Sequence, residues 1–253
     1  MLIMDSGLGG LSVVRALRAI APGQGLCYVG DVAAFPYGNR SAEEITQRAI
    51  AVISQLAQQV DFSTVVLACN TLSTLSLAEL RKALPQRFVG TVPAIKVAAK
   101  EAQRFTLLAT PNTAHSDYSK RLIAEFAADC VVDCYGAANL AAMAEAQLLA
   151  GAFDEAALRA ELAPAFFDDA HGKTEAVILG CTHYPLLQSQ LEACAPWPVR
   201  WIDSSQAIAR QALLQNGATP PNCVDVAYIT SPAKRDAYTV AFARDGFKET
   251  RVI

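Results

Sequence analysis

VVLACNTLST, residues 65–74, and AVILGCTHYP, residues 176–185, follow one pattern: an apolar run, a small residue, then a cysteine followed by polar Asn or Thr. Each run is short and rich in β-branched residues, as expected of a strand buried on both faces. The rest of the chain carries more such runs. LIM (2–4), LCYVG (26–30), TVVLA (64–68), FTLLA (105–109), CVVDCY (130–135), AVILG (176–180), VRWID (199–203) and VAYIT (226–230) read as strands. Between them, 10–20, 42–59, 73–84, 115–128, 139–150, 155–168, 186–194 and 205–216 have helical composition and spacing. That alternation predicts an α/β protein with mainly parallel sheets covered by helices. IMDSG (3–7) is echoed by WIDSS (201–205), so each half carries an Asp-Ser pair as well as a cysteine at a strand end. Ligands of open α/β sheets sit at those carboxyl ends. The echoes predict two similar halves facing each other across a cleft.

At 253 residues the chain can bury a sizeable core without staples. An apolar fraction of 53% and a net charge of −3 describe a mildly acidic globular protein and give nucleic acid no basic surface to bind. The N-terminus reaches Asp5 before any long apolar stretch, so neither a signal peptide nor a membrane span is expected. The seven cysteines (27, 69, 130, 134, 181, 194 and 223) are odd in number and scattered, which favours free thiols in a reducing cytoplasm. Cys130 and Cys134 have metal-like spacing but lack a matching ligand pair near His115, so no metal site is expected.

A strand-end cysteine taken alone is more often packing than chemistry. Cys69 and Cys181 differ in the polar company they keep: Asn70 and Thr71 after the first, Thr182 and His183 after the second. An inert core site has no use for such neighbours. A helix starting there can also activate the thiol. Lowering a cysteine from its reference value to about 7 needs roughly 2 kcal/mol, and a helix N-terminus supplies about 0.3–1 and at most about 2 kcal/mol. His183, two residues past Cys181, can exchange a proton with it; His115 and His171 carry no such signal.

DSGLGG (5–10) lacks the spacing of a dinucleotide loop and the lysine of a P-loop. It reads either as a capped strand-to-helix turn or as a loop whose Gly7, Gly9 and Gly10 amides and Ser6 hydroxyl approach a small anion. In GDVAAFPYGNRS (30–41), Ser41 and Glu44 form a capping box, leaving Tyr37 and the Gly38 amide as candidates for ligand contact.

With these residues assembled, the chain resembles the glutamate racemases of the cofactor-independent aspartate/glutamate racemase superfamily. DSGLGGLSV (5–13), YVGDVAAFPYG (28–38), LACNT (67–71), LATPNT (108–113), LGCTHYPLL (179–187) and IDSS (202–205) carry the likeness, in the family's order, over nearly the whole chain. The resemblance implies a cytoplasmic, cofactor-free isomerase that inverts glutamate and supplies D-glutamate for peptidoglycan. It implies two pseudo-symmetric α/β domains, one from 1–92 with 205–253 and one from 93–204, and a homodimer. The thiolate matching Cys69 would take the α-proton of D-glutamate and that matching Cys181 the α-proton of L-glutamate, assisted by Asp5 and His183. Substrate contacts would fall on Ser6, Pro36, Tyr37, Gly38, Asn70, Thr71, Thr110, Thr113 and Thr182. Related decarboxylases lack one of the two cysteines, and some racemase-like proteins inhibit DNA gyrase; the intact cysteine pair argues against a purely binding role. The chain departs from the family's pattern at DSS (203–205) and Ala109. The stretch from Cys134 to LAAMAE (140–145) is longer than the pattern, which leaves Glu145 unassigned.

Overall fold

A computed structural model describes residues 1–216 and 225–253; Cys223 lies outside the described residues. In chain order the strands are β1 (Leu2–Asp5), β2 (Cys27–Gly30), β3 (Thr64–Leu67), β4 (Arg87–Gly90), β5 (Arg104–Ala109), β6 (Val131–Gly136), β7 (Asp168–Asp169), β8 (Gly172–Lys173), β9 (Ala176–Gly180), β10 (Arg200–Ile202), β11 (Val226–Ile229) and β12 (Glu249–Val252). The helices are α1 (Leu11–Ile20), α2 (Ala42–Ala57), α3 (Asn70–Ala83), α4 (Ile95–Glu101), α5 (Pro111–Ala114), α6 (Asp117–Phe126), α7 (Leu140–Ala150), α8 (Glu155–Leu162), α9 (Gln188–Cys194), α10 (Ser205–Gln215) and α11 (Arg235–Arg244).

Two fully parallel sheets result. One has the order β12-β11-β2-β1-β3-β4, the other β10-β9-β5-β6, and β7 and β8 make a small antiparallel hairpin. Alternation along each strand feeds two cores per sheet. Ile3, Tyr28 and Val66 pack under α1, α10 and α11, while Leu2, Met4, Val65 and Leu67 pack under α2 and α3. In the second sheet, Leu108, Val177 and Leu179 face α7, α8 and α9, and Phe105, Leu107 and Ile178 face α4 and α6. Burial on both faces is why these strands read as continuous apolar runs. Among the described residues no helix is long and apolar enough to cross a membrane.

Each predicted strand is present. The helix expected over 155–168 stops at Leu162, because Pro164 cannot continue it and the chain turns into β7. The helix expected from 73 begins at Asn70, directly after Cys69. That over 115–128 is α6, capped by the Ser116 hydroxyl, and a short helix not expected from the sequence, α5, precedes it with Thr110 as its cap. Ser41 caps α2 as expected, accepting from the Glu44 amide at 3.2 Å, but the Glu44 carboxylate turns to Arg40 instead of closing the box. The Asp-Ser echo survives as geometry: Asp5 Oδ1 accepts from the Gly7 amide at 2.9 Å and Asp203 Oδ1 from the Ser205 amide at 2.7 Å. Asp5 is buried and Asp203 exposed, so only the first serves the cleft.

Arg104 ties the hairpin to the second sheet. Its buried guanidinium donates to Asp133, to both oxygens of Asp169 and to the Gly172 carbonyl, and it holds the Asp169 carboxyl down at about 2. Arg104→Leu leaves Asp133 and the Gly172 carbonyl without their donor, and the Tm should fall by about 2–8 °C in a calorimetric scan.

Candidate active site

Cys69 and Cys181 lie at the C-terminal ends of strands in different sheets. Cys69 follows β3 in the six-stranded sheet and precedes the first residue of α3; Cys181 directly follows β9 in the four-stranded sheet. Both are buried, and the Cys181 charge is one of the smaller influences that raise the Cys69 thiol. The amides of Leu72 and Thr71, in the first turn of α3, favour the Cys69 thiolate, as the helix argument expects. They do not prevail. Burial, followed by the Asp5 charge, pushes the Cys69 thiol well up from its ordinary value, so the anticipated lowering by the helix is outweighed.

Beside Cys181 the arrangement is different. His183 Nδ1 lies 3.8 Å from Cys181 Sγ, and its Nε2 lies 2.9 Å from Glu145 Oε1. Glu145 Oε1 also accepts from the Leu8 amide and Oε2 from the Tyr238 hydroxyl at 2.6 Å. Burial alone would neutralise both His183 and Glu145. For His183, the hydrogen bonds to Cys181 and Glu145 and the Asp5 charge overcome it, and the imidazole titrates well above its ordinary range. Glu145 is in turn held below the ordinary carboxylate range by its hydrogen bonds from His183, Tyr238 and Leu8. The pair is therefore imidazolium and carboxylate. The Gly9 amide sits 3.1 Å from Nε2, a hydrogen bond only in a neutral tautomer with Nε2 unprotonated; in the imidazolium Nε2 donates to Glu145.

Asp5, at the end of β1, accepts from the Gly7 amide and from the Thr182 hydroxyl at 3.0 Å, so it bridges the two halves. Burial raises it above the usual carboxylate range, against the opposing pull of His183. In DSGLGG the Gly7 amide is taken by the protein's own Asp5, and the neighbouring Leu8 amide by Glu145, so Gly7 has no amide left for an anion. The glycines serve close approach instead. A Cβ on Gly9 would lie 2.4 Å from His183 Nδ1 and 2.6 Å from Thr182 Oγ1.

Several of the remaining expected residues meet at a second junction between the halves. Thr71 Oγ1 lies 2.9 Å from Thr110 Oγ1 and 3.3 Å from Thr113 Oγ1, joining α3 of one half to α5 of the other. Gly38 abuts Thr110, and Asn112 Nδ2 donates to the Arg40 carbonyl at 2.8 Å. Asn70 and Ser6 are buried, and the Phe35–Pro36 peptide is cis. Tyr37 is brought to the site, but its hydroxyl donates to Asp31 at 2.6 Å, a carboxylate also held by Arg48 and Thr230. Its phenol is thereby committed within the protein.

Tyr238 and Asp31 are not among the expected site residues, and Glu145, left unassigned by the sequence, joins the site through His183, Leu8 and Tyr238. Glu145 had one available signal: it is the single charge in a helix whose other residues, Gln147 apart, are apolar, LAAMAEAQLLA. Among the described residues no group of three or more His, Cys, Asp or Glu is placed to hold a metal ion.

The family model described as Asp/Glu/Hydantoin racemase matches residues 10–212. A glutamate racemase of Brucella canis is 45% identical over 213 residues, 83% of this chain and 77% of that protein. One of Rhizobium meliloti is 43% identical over 237 residues, 91% and 86% of the two chains. A crystal structure of Escherichia coli glutamate racemase in complex with L-glutamate and the activator UDP-MurNAc-ala superposes with a TM-score of 0.92 at 34% identity, covering 100% of this chain and 97% of that one. A match of this extent, over both sheets and both cysteine turns, places the chain in the Asp/Glu/Hydantoin racemase family.

Proposed function

We propose that the protein is a glutamate racemase working by two thiols, and that it supplies D-glutamate for peptidoglycan. The observation that carries this reading is the placement of Cys69 and Cys181, both buried, at the C-terminal ends of strands in two different sheets. Inverting an α-carbon needs a base on one face and an acid on the other, with roles exchanged in the reverse direction. Cys69 takes the α-proton of D-glutamate while Cys181 delivers one to the opposite face; from L-glutamate the roles reverse. His183 is the proton partner of Cys181 at 3.8 Å, and Asp5 serves the Cys69 side. The carbanionic intermediate moves charge onto the α-carboxylate, which calls for neutral donors. Ser6, Asn70, Thr71, Thr110 and Thr113 supply them, Thr182, whose hydroxyl is given to Asp5, contributes its backbone amide, and Pro36, Tyr37 and Gly38 shape the wall.

On this reading the chain divides into 1–92 with 205–253 and 93–204, the division that follows sheet membership. The racemase is cytoplasmic and needs neither metal nor pyridoxal phosphate. A homodimer rests on the family resemblance alone, and sedimentation equilibrium tests it. The activity is tested by circular dichroism with L-glutamate after exhaustive dialysis against a chelator and a carbonyl reagent. Decay of the signal to zero at the undiminished rate is expected; activity lost on dialysis and restored by zinc or pyridoxal phosphate would overturn the reading.

A further inference from the structure

Tyr238 reaches the site from α11, a helix of the six-stranded half that packs across α7 of the other half. Its side chain is buried, and its hydroxyl is the hydrogen-bond partner of Glu145 Oε2 at 2.6 Å. Oε1 of the same carboxylate takes His183 Nε2, and the far nitrogen of that ring faces Cys181 Sγ. An imidazole turns about a broad, nearly two-fold torsion. Here the ring is fixed at one edge by Glu145 and packs against the tilted ring of Phe35, with ring centroids 5.4 Å apart. Nδ1 therefore addresses the sulfur only while Glu145 stays in place, and Tyr238 holds the oxygen that His183 does not.

We propose that Tyr238 is a positioning residue for the Cys181 side of the reaction, acting through Glu145 on the orientation of His183 and leaving the Cys69 side untouched. The inference rests on the two-thiol reading above. Cys69 is served by other groups, the first-turn amides of α3 and Asp5, none of which is hydrogen-bonded to Tyr238. The ionisable groups facing His183 are Cys181 on its own turn, Asp5 from β1 and Glu145 from α7; Tyr28 of β2 and Tyr238 of α11 stand behind the two carboxylates as neutral phenols, both driven up by burial. Tyr238 is thus the neutral donor that fixes Glu145 without competing for the proton shared by His183 and Cys181.

Racemisation rates alone cannot separate the two sides, because enantiomers have equal free energy and kcat/KM must be the same in both directions. Elimination can. From β-chloroglutamate one thiolate removes the α-proton, the Cα–H pair forms the double bond, and chloride leaves from Cβ; the enamine takes up water to give 2-oxoglutarate and ammonia. In Tyr238→Phe the ring keeps its packing against Phe242, with centroids 6.0 Å apart, and only the hydroxyl is lost. Expected is a fall of about tenfold or more in kcat for the L-enantiomer, where Cys181 is the base, with KM little changed. Turnover of the D-enantiomer should stay within about twofold, which also reports an intact fold. Equal loss on both enantiomers, loss confined to the D-enantiomer, or no loss would each overturn the positioning role while leaving the racemase reading in place. Wild-type protein that racemises glutamate on neither face would instead overturn the functional reading, and the inference with it.

Discussion

Cys69→Ser and Cys181→Ser should each lose racemisation by a factor of about 10²–10⁴ or more, the range over which a positioned acid or base contributes. A serine hydroxyl is too weak an acid to exist as the anion near neutral pH, and one working thiol cannot complete an inversion. Stability should change little. Serine matches cysteine in size, and both sites already hold polar neighbours, so a loss beyond about 1–3 kcal/mol in urea unfolding would indicate an unsatisfied buried hydroxyl instead. The two variants should differ on β-chloroglutamate: Cys181→Ser still eliminates chloride from the D-enantiomer through Cys69, and Cys69→Ser from the L-enantiomer through Cys181. Racemisation at the wild-type rate by either variant would return that cysteine to the core.

Gly9→Ala is expected to be nearly as damaging, although alanine adds a single methyl group. Its Cβ would lie 2.4 Å from His183 Nδ1 and 2.6 Å from both His183 Cε1 and Thr182 Oγ1. None of these atoms has room to recede. His183 is held by Glu145 and Phe35, and Thr182 by Asp5. Relief requires the ring to leave Cys181, and a displacement of that size costs about a hundredfold in rate. Overpacking adds about 1–3 kcal/mol of instability. Gly23→Ala is the matched control, since nothing lies within 4 Å of its Cβ and its φ is not positive. It should leave kcat/KM unchanged and be neutral or stabilising by up to about 1 kcal/mol. Parallel kinetics and urea curves decide the matter, and a Gly9→Ala enzyme as active as Gly23→Ala would show that the loop yields where the packing says it cannot.

Legibility in the sequence followed burial. β1, β3, β5 and β9 are buried along their whole length and stand out as apolar runs. The two edges of the larger sheet, β4 (RFVG) and β12 (ETRV), do not, because an edge strand is partly exposed and carries charged residues. α11 (RDAYTVAFAR) was missed for a related reason: Tyr, Thr, Val and Phe are weak helix formers, and its helical state is decided by packing against α7 and β12. The site divided in the same way. Asp5, Cys69, Cys181 and His183 each follow a legible strand within a few residues. Glu145 and Tyr238 owe their place to partners far away in the chain, Leu8, His183 and each other, and no local spacing encodes that.

The late position of β11, β12 and α11 in the chain sets an order of completion during synthesis. When the ribosome has delivered the first 216 residues, both thiols, Asp5, Glu145 and His183 already exist, and all four strands of the smaller sheet are available. The larger sheet still lacks two strands beside β2, and Asp31 lacks the Thr230 hydroxyl. Glu145 lacks the Tyr238 phenol. On the two-thiol reading, a nascent or truncated chain therefore carries both sulfurs before the groups proposed to orient their surroundings, and the last segment to emerge is the keystone of the site.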